Sequence, residues 1–411
     1  MKAHQKTLSI FIAAAGVAAI AFTLTTATSS AARKSTPVAA PAKPAPVAQP
    51  TPVVEPAPPV QPAPIGDDVI QMALLLDTSS SMSGLINQAR TQLWKIVNEM
   101  SEATRDGKRP KLQLALYEYG KPSLGAANGY LRQIVPLTDD LDRVSEELFA
   151  LTTTGGDEFA GQVIQAATHG LAWNDDARGL KLIFIAGNEG FDQGAVDYRS
   201  AIAAAKERGI VVNTIYCGDA DDPVRQGWLN GAALADGRSL NIDHNQAIVH
   251  IAAPQDAEIA RLGGQLNETY IGYGSLGATN EVRQMAQDGN ASMSGSLVER
   301  SISKASASYS NGHWDLLDGL EQGSVAWATL DATDLPEKMR TMSEDERKAF
   351  VEGKRKERTE LQKRIRDLNV EREKFVAAKR KEMGEAGQNT LDAAMLDVLG
   401  ELARDKGYQL D

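Results

Sequence analysis

A carboxylate and two hydroxyls stand at i, i+2 and i+4 in Asp77-Thr78-Ser79-Ser80-Ser81. From a loop that caps a helix, three oxygens at this spacing can turn inward together. Such hard donors suit Mg²⁺, Mn²⁺ or Ca²⁺ rather than zinc or copper. The same residue types also favour plain N-capping, which is the competing reading. A second acidic group, Asp219-Ala220-Asp221-Asp222, reads either as a rim or second cation site on the same edge or as a solvated turn capping a helix near Pro223. Little else in the chain carries chemistry. One cysteine, Cys217, rules out an intramolecular disulfide framework and any CxxC knuckle, and at the end of an apolar strand it reads as a buried structural thiol. The histidines are scattered, with no HExxH, and no GxSxG or Walker A motif occurs. Gly263-Gly264 and Gly272-Tyr273-Gly274 lack a phosphate-loop lysine, and Asp77 lacks the second aspartate at i+2 that a strand-end phosphotransferase would need. No enzymatic activity is expected.

The elements around Asp77 give the motif its weight. Val69–Leu76 is a near-continuous apolar run, suited to a strand buried on both faces. It leads into the Asp77 loop, and Ile86–Met100 then shows helical spacing. Strand-like Leu112–Tyr117, Tyr130–Val135, Leu180–Ile185 and Ile210–Tyr216 alternate with helix-like Leu141–Leu151, Ala160–Trp173, Asp197–Arg208 and Gln255–Leu266. This alternation predicts an α/β fold, a largely parallel, doubly wound sheet covered on both faces. Ligands of such sheets bind beyond the carboxyl ends of the strands, where Asp77 falls.

With the DTSSSMSG segment on its first strand, residues 67–275 resemble the von Willebrand factor A family. The resemblance implies a Rossmann-like sheet with one antiparallel edge strand and a divalent cation, Mg²⁺ or else Mn²⁺ or Ca²⁺, at a metal-ion-dependent adhesion site (MIDAS). A protein partner's carboxylate would complete the coordination. Asp77, Ser79 and Ser81 match the first-loop ligands. The family's threonine position falls on Asp157 in Thr152-Thr153-Thr154-Gly155-Gly156-Asp157-Glu158, with Thr154 a nearby substitute. Its later aspartate position falls on Gly187, followed by Asn188 and Glu189. The expected metal set is therefore Asp77, Ser79, Ser81, Asp157 and Glu189, with a degenerate, metal-free site as the alternative.

The flanking regions address the rest of the chain. Lys2 and Lys6 precede an apolar run from Leu8 to Leu24, and small residues follow to Ala32. Residues 1–34 thus read as a signal peptide or an N-terminal membrane anchor, with the remainder periplasmic or in the cell envelope. Residues 35–66 form a Pro/Ala-rich linker holding 11 of the 17 prolines, favouring extended polyproline II. Residues 276–340 read as a helical or irregular extension, in which Ala278–Ala307 suggests one or two helices packed loosely beside the sheet domain. Residues 341–411 read as a charged helical hairpin or a dimeric coiled coil. Its helix starts at a Ser343/Glu346 capping box, and its stripe of Leu361, Ile365, Leu368 and Phe375 is interrupted by Arg358, Arg372 and Lys379. A homodimer through these helices is one consequence.

The formal charge of −11 argues against a nucleic-acid partner. It is concentrated in residues 66–336, which hold 36 acidic against 20 basic residues. The expected function is an exported, non-enzymatic protein-binding module. The alternative is an envelope scaffold.

Overall fold

The run Val69–Leu76 becomes the middle strand of the sheet because apolar neighbours cover both its faces. A computed structural model describes residues 65–245, 250–383 and 391–409. Strand β1 (Ile65–Asp77) pairs in parallel with β2 (Arg109–Tyr119) on one side. Strand β3 (Leu131–Thr138) runs antiparallel on the outer edge of β2, as the resemblance implied. On the other side of β1 lie β4 (Leu180–Gly187), β5 (Ile210–Tyr216) and β6 (Ser239–Asn241), all parallel. The order β3-β2-β1-β4-β5-β6 reverses direction beside β1, which is where doubly wound sheets open a crevice at their carboxyl edge. The three-residue β6 carries no apolar pattern and was not expected. Backbone pairing with Thr214–Tyr216 holds it, and Asn241 Nδ2 donates to Gly218 O at 2.8 Å.

Side chains alternate across a strand. Met72, Leu74 and Leu76 therefore join a core with α1 (Ser83–Glu102) and α2 (Leu141–Ala150). Ala73 and Leu75 join a second core with α3 (Ala160–Gly170), α4 (Tyr198–Glu207) and α5 (Arg225–Leu234). The first core continues into α6 (Asp256–Asn267), α7 (Gly277–Ser294) and α8 (Leu297–Lys304). Beyond it come α9 (Leu316–Gln322), α10 (Glu337–Arg340), the 40-residue α11 (Glu344–Met383) and α12 (Leu391–Asp405). The capping box forms: Ser343 N donates to Glu346 Oε2 at 2.8 Å.

Residues 278–307 pack tightly where loose packing was expected, because the small residues there let helices approach. A Cβ on Gly263 of α6 would collide with Ser301 of α8. Arg300 and Lys304 are fully buried. Arg300 donates to Asp142 at 2.7 Å, and Lys304 reaches Asp288 at 2.7 Å and Asn267 at 2.8 Å. The charged tail likewise lies against the sheet domain. Leu391, Met395, Val398 and Leu402 of α12 share one cluster with Leu93 and Ile96 of α1, and Lys95 pairs with Asp392 at 2.6 Å. Ile365 of α11 is in the same cluster, with Leu361 and Leu368 packed against it. Arg358 and Arg372, which interrupt that stripe in sequence, are buried. Arg358 pairs with Asp315 at 2.7 Å and Asp318 at 2.8 Å, while Arg372 pairs with Asp256 at 2.8 Å and Glu299 at 2.7 Å. At the far end, Thr104 and Gln409 exchange backbone hydrogen bonds of 2.8 and 2.7 Å.

Among the described residues, no helix is long and apolar enough to cross a membrane. The Leu8–Leu24 segment and the proline-rich linker up to residue 64 lie outside the described residues.

Candidate functional site

The last residue of β1 is Asp77, and its side chain is fully buried at the carboxyl edge of the sheet. Its Oδ1 accepts a hydrogen bond from Ser79 N at 2.7 Å, which folds the following loop back over the carboxylate. Ser79 is buried too, and its Oγ lies 3.1 Å from Ser81 Oγ. Ser81, at the exposed end, receives a 3.2 Å hydrogen bond from Asn188 Nδ2 beyond the end of β4. Behind the loop, Thr78 N and Oγ1 both donate to Tyr119 O, at 2.9 and 3.0 Å. None of these seryl side chains caps the short helical turn at Ser80–Met82, and α1 has no side-chain cap either. The capping alternative therefore has no hydrogen bond behind it here.

The loop 152–158 closes over the site, tied down by a 3.0 Å hydrogen bond from Thr154 N to Thr78 O. Its two acidic residues face opposite ways. Asp157 is exposed, whereas Glu158 is 5% exposed and turned in. Gly120, at φ +82°, shows how closely Glu158 and Asp77 approach: a Cβ there would lie 2.6 Å from Asp77 Oδ1 and 2.9 Å from Glu158 Cγ. Both acids thus pack against one backbone atom.

Gly187 explains the missing aspartate. A Cβ at this position would lie 2.5 Å from Tyr119 Oη and 3.1 Å from the Trp228 ring, leaving no room for a side chain. The next residue, Asn188, supplies the polar contact to Ser81. Glu189 is exposed and accepts a 3.2 Å hydrogen bond from Gln193.

Asp77 Oδ2 and Glu158 Oε2 are both buried without a hydrogen-bond partner. Burial raises the pKa of Asp77. Glu158 is raised as well, first by burial and then by the neighbouring Asp77. Two carboxyls in one desolvated pocket cannot both stay ionised without a cation between them, and otherwise they retain a proton. The flanking basic groups do not supply that cation, because Lys121 and Arg132 both pair with Glu118. Cys217, at the end of β5, is fully buried, and burial holds its thiol well above the ordinary range.

The donor set consists of carboxylate and hydroxyl oxygens, the chemistry that Mg²⁺ and Mn²⁺ prefer. Among the described residues, no group of three or more His, Cys, Asp and Glu is placed to hold a metal ion. Any ion here would rest on two carboxyls plus hydroxyls. Asp77, Ser79 and Ser81 are brought together by one tight loop, whereas Asp157 and Glu189 stand outside on the rim. Glu158 is the member that the sequence reading missed. Its only signal was adjacency to Asp157.

Residues 71–227 match the family model described as von Willebrand factor type A domain. No curated protein matches the chain. Among solved structures, proximal thread matrix protein 1 from the mussel byssus is 12% identical with a TM-score of 0.31, over 42% of this chain and 41% of that one. A von Willebrand factor type A protein from Catenulispora acidiphila is 13% identical with a TM-score of 0.33, over 43% of this chain and 39% of that one. The pilus adhesin SpaC from Lactobacillus rhamnosus GG, in its open conformation, is 12% identical with a TM-score of 0.33, over 44% and 28%. The chain therefore spans about two fifths of the mussel protein.

Proposed function

Residues 71–227 belong to the von Willebrand factor type A family, whose domains are commonly protein-interaction modules, and we propose that this chain is an exported, non-enzymatic module that binds a protein partner through a divalent metal ion. The residues that would hold the ion are Asp77, Ser79, Ser81 and Glu158, with Asp157 and Glu189 on the rim. When bound, the ion supplies a Lewis-acidic point on which a partner's carboxylate can close. The observation that carries this reading is the pair of buried, unpartnered oxygens, Asp77 Oδ2 and Glu158 Oε2, at the carboxyl edge of β1. Residues 1–34 would deliver the domain across the inner membrane or hold it there, and residues 35–66 would space it from the surface.

The test is capture from a cell-envelope extract with and without chelator, comparing wild type with Asp77→Asn. A partner retained by wild type, lost in chelator and lost in the folded variant supports the proposal. Capture that ignores both chelator and Asp77→Asn refutes it. It would then favour the second reading, a metal-free scaffold, for which the deep ionic anchoring of α11 on the domain already speaks.

A further inference from the structure

We infer that Glu158 is a resident carboxylate ligand that competes in cis with the partner's carboxylate, so that the site is self-capped until a partner displaces it. This rests on the metal reading proposed above and concerns its regulation.

Three independent features of Glu158 converge. It stands two residues before the start of α3 and is 5% exposed, although the loop that carries it lies at the surface. Its Cγ and the Asp77 carboxylate pack on the same face of Gly120, a backbone position with no room for a Cβ. Its Oε2 is buried without a partner beside an equally unpartnered Asp77 Oδ2. A glutamate with a merely structural role would pair with a basic side chain. Here Lys121 donates instead to Glu118 at 3.2 Å and Thr152 at 3.0 Å, and Arg132 also goes to Glu118. What Glu158 faces is the Asp77 carboxyl, with the Ser79 side chain beside it.

The consequence is electrostatic. A divalent ion held by Asp77 alone keeps one net positive charge for an incoming carboxylate. Held by Asp77 and Glu158, it keeps none, and in a desolvated pocket that difference is large. The site then retains its ion while rejecting acidic ligands. Entry requires Glu158 to swing out with its loop, whose backbone anchor at the site is the Thr154–Thr78 hydrogen bond.

Full-length wild type, Glu158→Gln and Asp77→Asn would be titrated with Mn²⁺ by calorimetry. The Mn²⁺-loaded proteins would then be titrated with acetate as the probe carboxylate, read by water-proton relaxation. Wild type should bind Mn²⁺ and ignore acetate. Glu158→Gln should lose at least about tenfold in Mn²⁺ affinity, since even outer-shell partners are worth that much, and should then take up acetate. Mn²⁺ affinity unchanged in Glu158→Gln overturns the assignment, as does a variant that still ignores acetate. If none of the three proteins binds Mn²⁺, the metal reading itself has failed. Should Glu158→Gln not fold, Glu158→Asp serves instead: shorter reach should weaken Mn²⁺ while acetate stays excluded, and wild-type affinity would refute the proposal.

Discussion

Gly120→Ala is the substitution that presses hardest on the geometry of the site. Gly120 sits at φ +82°, in the left-handed region, where a side chain costs roughly 1–2 kcal/mol. The new methyl would also stand 2.6 Å from Asp77 Oδ1 and 2.9 Å from Glu158 Cγ, inside normal contact, so both acids must shift. Overpacking of this kind adds typically about 1–3 kcal/mol. A control separates the two contributions. Gly295, the residue closing α7, has φ +76° and ψ 15° and nothing within 4 Å of a built Cβ, so Gly295→Ala carries the backbone strain alone. Equilibrium urea unfolding in chelator should therefore show Gly120→Ala less stable than Gly295→Ala by about 1–3 kcal/mol with unchanged slope. Mn²⁺ calorimetry should show weakened binding for Gly120→Ala and wild-type binding for Gly295→Ala. Equal stability losses with Mn²⁺ affinity intact in both would refute the claim that Asp77 and Glu158 crowd one atom.

Two further outcomes concern the packing that holds the site's scaffold. Arg358 makes hydrogen bonds to Asp315, Asp318 and Thr269, and its guanidinium stands 3.9 Å over the Tyr270 ring. Arg358→Met should therefore cost about 3–5 kcal/mol by stranding buried carboxylates, measured by urea unfolding, and a loss below about 1 kcal/mol would contradict the burial. Lys304 is fully buried, and burial lowers its pKa from 10.5 to about 8 despite the attraction of Asp288. Between those values the unfolded chain holds the extra proton, so the contribution of this group to stability rises with pH through that window. Lys304→Met should flatten the rise in the urea midpoint between about pH 8 and 10 relative to wild type, and an unchanged profile would refute the assignment.

Five of the six strands, β6 excepted, were legible because they are apolar runs and each depends on its own residues. The same holds for Asp77, Ser79 and Ser81, which one short loop places together. Glu158 was not legible for a physical reason. Asp157 and Glu158 are adjacent acids in a glycine-containing loop with no periodicity, and which one turns inward is set by Gly120, in a different loop. Gly187 is similar: the lost aspartate reads as decay in sequence, yet Tyr119 and Trp228 occupy the space that a side chain would need. In the tail, arginines inside an apolar stripe read only as interruptions of it. Their partners lie 43 and 40 residues away for Arg358, and 116 and 73 for Arg372, beyond any local pattern.

Those long-range pairs also redistribute the acidity of the central region. Of the acidic residues in 66–336, Asp315 and Asp318 are neutralised by Arg358, and Asp256 and Glu299 by Arg372. Asp142 and Asp288 are held by Arg300 and Lys304 from within the same region. Part of the surplus is therefore interior and tuned to accept α11, while Asp77 and Glu158 have no basic partner. The near-neutral tail is not a detachable arm, because its arginines compensate carboxylates of the domain it covers. Removing residues 344–411 would strip the buried arginine partners from Asp315, Asp318, Asp256 and Glu299 and the cover from Leu93 and Ile96 in α1, the helix that starts directly after the Asp77 loop. The outer face of α11 stays in solvent, where Lys363 and Asp367 pair with each other.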